Sequence, residues 1–360
     1  MNAGKNFCNG QEPSGFGQHV ANVKQFIDFD IDFLKLDACG VTGSYPNSIR
    51  CAPPHQNDRE CAFLNAWQRE FDKYASTKKV LVNNCRIGCM GHKINPKEER
   101  CDFDNINNPL SWKSYWNIPG LLNHQSWCSM TYSARSSPDT RSCWSSMINA
   151  IYAGLTGTNG LFYDPDTILI GINQIEFTNP NPANYGLTLE EGRTNMALAC
   201  IMSYVLMIGT DVSTLPESHA AILKNKWAIF INQNIMLESR ITRKIRQGRR
   251  LSPSNDLDWK AEGTNSVTIW WKPLDNDYNA FVVTNQHASQ TRTLQFNITQ
   301  WLGVANNLIT NTLVKRKTSN VGYRVLNVWT EEQTTIQSTI SITNLAAHDS
   351  YFILTKPLCI

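Results

Sequence analysis

Asp32-Phe33-Leu34-Lys35-Leu36-Asp37-Ala38-Cys39 is the stretch on which the fold turns. In an extended chain Leu34 and Leu36 fall on one face, while Phe33, Lys35 and Asp37 fall on the other. A lysine turned toward a sheet interior is costly unless it meets an opposite charge, and Asp37 two residues on can supply it. In a parallel barrel the C-terminal ends of the strands carry the catalytic groups, which puts Asp37 where a nucleophile belongs. Taken alone, the same eight residues also suit an edge strand with one solvated face.

Working outward, the first two thirds of the chain alternate helical and strand patterns. Val20, Val23 and Phe26 have helical spacing ahead of the Phe33 strand. Phe63, Trp67, Phe71 and Tyr74 form the next stripe, before a short buried strand at Val80-Leu81-Val82. A helix is expected from Asp139 to Tyr152, with Trp144, Met147, Ile148 and Ile151 on one face. Thr188 and Glu191 make a capping box that opens an apolar helix from Leu189 to Leu206. Such alternation predicts an α/β architecture on a parallel sheet. Beyond about Ala228 the rhythm changes to short β-rich runs such as Val267-Thr268-Ile269-Trp270-Trp271 and Tyr351-Phe352-Ile353-Leu354, the pattern of an antiparallel sandwich. The domain boundary is placed after residue 233.

Composition limits the function classes. The 360 residues carry 33 Lys+Arg against 30 Asp+Glu, a net charge of +3, which is too little surplus cation for phosphate-driven nucleic-acid binding. The longest apolar stretch, Met196 to Gly209, falls short of a membrane span. Nine of the 11 cysteines lie within the first 143 residues, a density that fits an oxidising compartment, and the sequon Asn297-Ile298-Thr299 points the same way. Met1-Asn2-Ala3-Gly4-Lys5 is not a signal peptide.

Three further segments carry candidate chemistry. Arg135 and Asp139 are spaced i, i+4 just before an amphipathic helix, the spacing also of a surface ion pair or an N-cap aspartate. Asp164-Pro165-Asp166 is a turn in its own right. Cys85-Arg86-Ile87-Gly88-Cys89 lacks the second pair that a zinc site needs, which favours bridged cysteines.

The order of these segments, from Cys8-Asn9-Gly10 through Phe33–Cys39, Arg135-Ser136-Ser137-Pro138-Asp139, Asp164-Pro165-Asp166, Leu187–Glu191 and Ile208–Asp211 to Ile231-Asn232-Gln233, resembles the melibiase or α-galactosidase family, glycoside hydrolase family 27. The resemblance implies a (β/α)8 TIM barrel over residues 1–233 and a C-terminal antiparallel β-sandwich over 234–360. It implies a retaining exo-glycosidase acting on terminal α-galactosyl oligosaccharides or glycoconjugates, with Asp37 as nucleophile and Asp139 as general acid/base. Lys35, Arg135 and Asp166 would bind sugar hydroxyls, and Cys8 would bridge to Cys39. No metal or organic cofactor, nucleic acid or membrane is implied, a homodimer is compatible, and the location would be secreted or lysosomal.

The chain departs from the family pattern at three places. Arg86-Ile87 stands where an acidic or small polar residue reads the sugar's 2-position. Phe162-Tyr163 replaces Trp-Asn. The chain opens at the family's third strand, so an incomplete barrel is expected, with the first two strands and a signal peptide upstream of Met1. Two alternatives follow: an α-N-acetylgalactosaminidase-like variant, or an inactive or fragmentary relative that only binds glycans.

Overall fold

The alternation at Phe33–Leu36 is realised as a strand whose two faces meet different surroundings. The computed structural model describes residues 18–36, 67, 69–84, 131–135, 140, 142–153, 162–172, 186–234, 249–250, 267–308 and 322–358. The chain divides into two compact units, one of residues 1–139 and 156–166, the other of residues 140–155 and 167–360.

In the first unit, helix α1 (His19–Asp28) precedes strand β1 (Phe33–Leu36), followed by β2 (Leu81–Asn84), β3 (Thr131–Arg135) and β4 (Phe162–Asp164). These four strands form one parallel sheet in chain order. Leu34 pairs in register with Val82, and both bury their side chains among Val23, Trp67 and Phe71, with Phe26, Ile27, Tyr74 and Val80 around them. The helical stripe therefore runs through Val23, Phe26 and Ile27. Val20, expected on it, is 55% exposed, because it lies a full turn before the sheet contact begins. Lys78 anchors the turn into β1: its ammonium donates to the carboxylates of Asp30 (2.6 Å) and Asp32 (2.5 Å), which hold it above the usual lysine range.

The second unit contains α2 (Trp144–Ala153), α3 (Leu189–Ile201), α4 (Glu217–Leu223) and α5 (Lys226–Gln233). Its strands are β5 (Arg249–Arg250), β6 (Val267–Pro273), β7 (Asn279–Asn285), β8 (Arg292–Asn297), β9 (Tyr323–Asn327), β10 (Gln333–Ile336), β11 (Thr339–Leu345) and β12 (Ser350–Pro357), with α6 (Ile298–Leu308) after β8. Six strands pair antiparallel in the order β10-β9-β12-β7-β6-β5, and β11 pairs with β8 as a separate ribbon. Ile269, Trp271, Phe281, Val283 and Ile353 share one core with Phe296, Ile340, Ile342 and Leu345 of the ribbon. The opposite face of the sheet packs against α3. Every residue of β7 is consequently buried, as expected of a strand covered on both sides.

The capping box forms as predicted: Glu191 N–H donates to Thr188 Oγ1 (3.2 Å) and Thr188 N–H to Glu191 Oε2 (2.9 Å). Glu191 then reaches the turn before β12, its Oε1 lying 2.7 Å from His348 Nδ1, and the His348 ring stacks on Trp144 at 4.0 Å between centroids. Arg193 donates two parallel hydrogen bonds to the Asp349 carboxylate (3.0 and 2.7 Å), the bidentate geometry that fixes direction as well as distance.

Two expectations about element limits are corrected. The helix opening at Leu189 ends at Ile201 rather than Leu206, because Ser203 turns left-handed (φ 54°) and Tyr204 N–H closes back on the Ala199 carbonyl. The C-terminal region also contains a helix, α6, which Asn297 caps by accepting from Gln300 N–H at 2.9 Å. Of the helix expected from Asp139 to Tyr152, residues from Trp144 to Ala153 are helical, and Asp139 lies outside the residues the structure describes.

Candidate functional site

The parallel sheet of the first unit gives its two faces different chemistry. One face is the apolar contact of Leu34 and Val82 with the helices. The other, one residue along each strand, presents Lys35 and Asn83 in register. Ser133 of β3 pairs with Asn83, and Arg135 with Asp164 of β4. The C-terminal ends of β1, β2 and β4 thus bring Lys35, Asn83 and Asp164 to one side of the four-stranded sheet, with Asp166 two residues beyond β4.

Asp164 is the fixed point. It is 1% exposed, and a carboxylate removed from water must have its oxygens satisfied. Its Oδ1 accepts from Asp166 N–H at 2.8 Å, closing the Asp-Pro-Asp turn, and its Oδ2 accepts from Asn83 Nδ2 at 2.5 Å. The turn holds Asp166 at φ 82°, in the left-handed region that Asp tolerates better than bulky residues. That conformation sets the Asp166 Oδ1 atom 3.8 Å from Lys35 Nζ. The Lys35 side chain is 26% exposed and that of Asp166 11%, and the two lie close enough to attract. A cation and a carboxylate at the end of a sheet can donate to and accept from the hydroxyl groups of a polyol.

Lys35 and Asp166, both singled out from sequence, are brought together by the fold. Arg135 ends β3 in register with Asp164, and its backbone alone is described. Asp37, Asp139, Arg86, Cys8 and Cys39 lie outside the residues the structure describes. Asn83 went unremarked in the sequence. The signal available was an asparagine pair at the end of a buried strand, in the register position beside Lys35. Among the described residues no group of three or more His, Cys, Asp or Glu is arranged to hold a metal ion, and no helix is long and apolar enough to cross a membrane.

Comparison with known proteins gives the geometry a context. The family profile described as α-galactosidase A, of the melibiase group, matches residues 89–234. A Penicillium simplicissimum protein named "probable alpha-galactosidase B" is 23% identical over 99% of this chain and 73% of its own length. The human α-N-acetylgalactosaminidase is 24% identical over 76% of this chain and 52% of its own length. Among solved structures, α-galactosidase I of Mortierella vinacea superposes with a TM-score of 0.64 at 17% identity, covering 99% of this chain and 75% of that one. The chain thus spans between about half and three quarters of the length of these relatives.

Proposed function

The chain is related to the melibiase, or α-galactosidase, family of glycoside hydrolases, and from that premise we propose that it hydrolyses terminal α-galactosides by double displacement. The observation that carries the proposal is the convergence of Lys35, on β1, and Asp166, just past β4, at the C-terminal end of one parallel sheet, the end of a barrel at which ligands bind. In the alternation read from the sequence, Asp37, two residues after Lys35, belongs to the same face as that lysine. In this reading Asp37 attacks the anomeric carbon while Asp139 protonates the leaving oxygen. Asp139 then deprotonates the water that releases the sugar, which requires two carboxyl groups about 5 to 5.5 Å apart. Lys35 keeps Asp37 ionised and, with Arg135 and Asp166, binds the sugar hydroxyls. Arg86 faces the 2-position. Residues 1–233 are assigned to an incomplete barrel and 234–360 to the C-terminal β domain, and the cysteine-rich first third fits a secreted or lysosomal location with Cys8 bridged to Cys39.

A second reading is supported by the human relative, named an α-N-acetylgalactosaminidase. The two substrates differ only at the position assigned to Arg86, so comparing turnover of aryl α-galactoside and aryl α-N-acetylgalactosaminide separates them. The test of the mechanism is labelling. A 2-deoxy-2-fluoro-α-galactosyl fluoride should attach to the peptide containing Asp37, and Asp37→Ala should abolish turnover. Label on another carboxylate, or full activity in the variant, refutes the assignment.

A further inference from the structure

Asn83 is fully buried on the polar face of the sheet, and its Nδ2 donates to Asp164 Oδ2. An ionised carboxylate only accepts, so the amide must turn its nitrogen toward Asp164. This leaves Asn83 Oδ1 as a buried acceptor without a hydrogen-bond partner among the described residues. Leaving a buried acceptor unmade is costly. An apolar side chain in this strand position would carry no such cost, as Val82 one residue earlier shows by packing into the core of the other face. What the amide supplies in return is the donor to Asp164.

That donor has a definite downstream effect. Asp164 uses its other oxygen to hold the Asp166 N–H, and the turn so closed is what presents the Asp166 carboxylate to Lys35. Without Asn83, Asp164 Oδ2 would be a buried acceptor stripped of its donor, and the carboxylate would be free to rotate. Rotation moves the acceptor that keeps Asp166 in its left-handed conformation. We propose that Asn83 is a positioning residue for sugar binding, acting through Asp164 to set the place of Asp166 opposite Lys35. The proposal rests on the hydrolase reading above only for the identity of the ligand.

The test uses Asn83→Ala and Asn83→Asp in the full chain, with p-nitrophenyl α-galactoside for turnover and galactose for binding. Circular dichroism at each pH restricts comparison to folded protein. Losing one hydrogen bond to a charged group in the chain that places Asp166 predicts that Asn83→Ala raises KM and the galactose Kd about ten- to a hundredfold, with kcat changed far less. Asn83→Asp separates positioning from simple structural support. Two carboxyls in contact share a proton in acid, and the protonated aspartic acid donates to Asp164 as the amide does. KM should therefore approach the wild-type value in acid and rise toward the alanine value as pH increases.

If Asn83 only supports the strand, both variants lower the melting temperature and leave KM and Kd unchanged at every pH, and the proposal is overturned. A wild type that binds galactose without hydrolysing the aryl galactoside refutes the hydrolase reading and leaves Asn83 to be judged on Kd. A wild type that does neither overturns both.

Discussion

Lys272 lies on β6 with 0% of its surface exposed. It donates to Ser203 Oγ (2.6 Å), to the Ile231 carbonyl and to the Asn232 carbonyl (3.2 Å). It thus ties a sheet strand to the left-handed turn after α3 and to the last turn of α5. Burial pushes its ammonium from the ordinary 10.5 down to about 7, opposed by the neighbouring Cys200. Burial pushes the Cys200 thiol the other way, from 9.0 up to about 12. The signs differ. Between about pH 7 and pH 10.5 the unfolded chain holds a proton on Lys272 that the folded chain has released, so folding stability rises with pH. Between about pH 9 and pH 12 the folded chain holds a proton on Cys200 that the unfolded chain has lost, so stability falls.

Each limb has a limiting slope of about 1.4 kcal/mol per pH unit. The three oxygens around Lys272 stabilise its charged form and return part of the desolvation, so a gain of about 2 kcal/mol from pH 7 to 9 is expected. The gain should level off between pH 9 and 10.5, where the two limbs oppose each other, and reverse above that. Urea unfolding of wild type, Lys272→Met and Cys200→Ala at half-unit intervals from pH 6 to 11 resolves the limbs, since titrations remote from the Lys272–Cys200 pair cancel in the differences. A wild-type minus Lys272→Met difference that stays flat from pH 7 to 9 refutes the reasoning.

Two smaller perturbations follow from the second unit. Glu191→Ala removes both the reciprocal cap bond to Thr188 N–H and the partner of His348. It should cost about 1 to 3 kcal/mol in thermal or urea unfolding, against about 1 for Thr188→Ala; equal losses would mean that the His348 contact contributes nothing. Gly209→Ala would place a methyl 2.6 Å from Thr167 Oγ1 and 2.7 Å from Thr167 Cβ, so it should destabilise by about 1 to 3 kcal/mol, and Thr167→Ser should recover little because the Cβ contact remains.

Local signals were readable wherever one segment settles its own conformation. The Thr188–Glu191 box is an exchange of bonds between residues three apart, and the period of two at Phe33–Leu36 is a property of the strand itself. The end of α3 was hidden because its left-handed residue is a serine and not a glycine. Lys272, far along the chain, holds that serine's hydroxyl. Helix α6 was hidden by β-branched Ile298 and Thr299 directly after a strand, although Ile298 and Leu302 have helical spacing and both enter the core. At the candidate site, residue types could be named but distances could not. Lys35 meets Asp166, and Asn83 meets Asp164, only because parallel pairing aligns strands that are separated by long segments.

The strand order of the large sheet sets a condition on biosynthesis. β12 comes after every other strand of that sheet in the chain, yet it lies between β9 and β7 and pairs with both. Until Ser350–Pro357 has left the ribosome, β9–β10 and β7–β6–β5 are two fragments with unsatisfied inner edges, the condition that invites pairing with foreign chains. A frameshift or stop codon shortly before position 350 would therefore do more than remove one strand. It would split the sheet through its middle and leave Phe281, Val283, Tyr323 and Val325 without Ile353, making a late truncation as damaging as an early one.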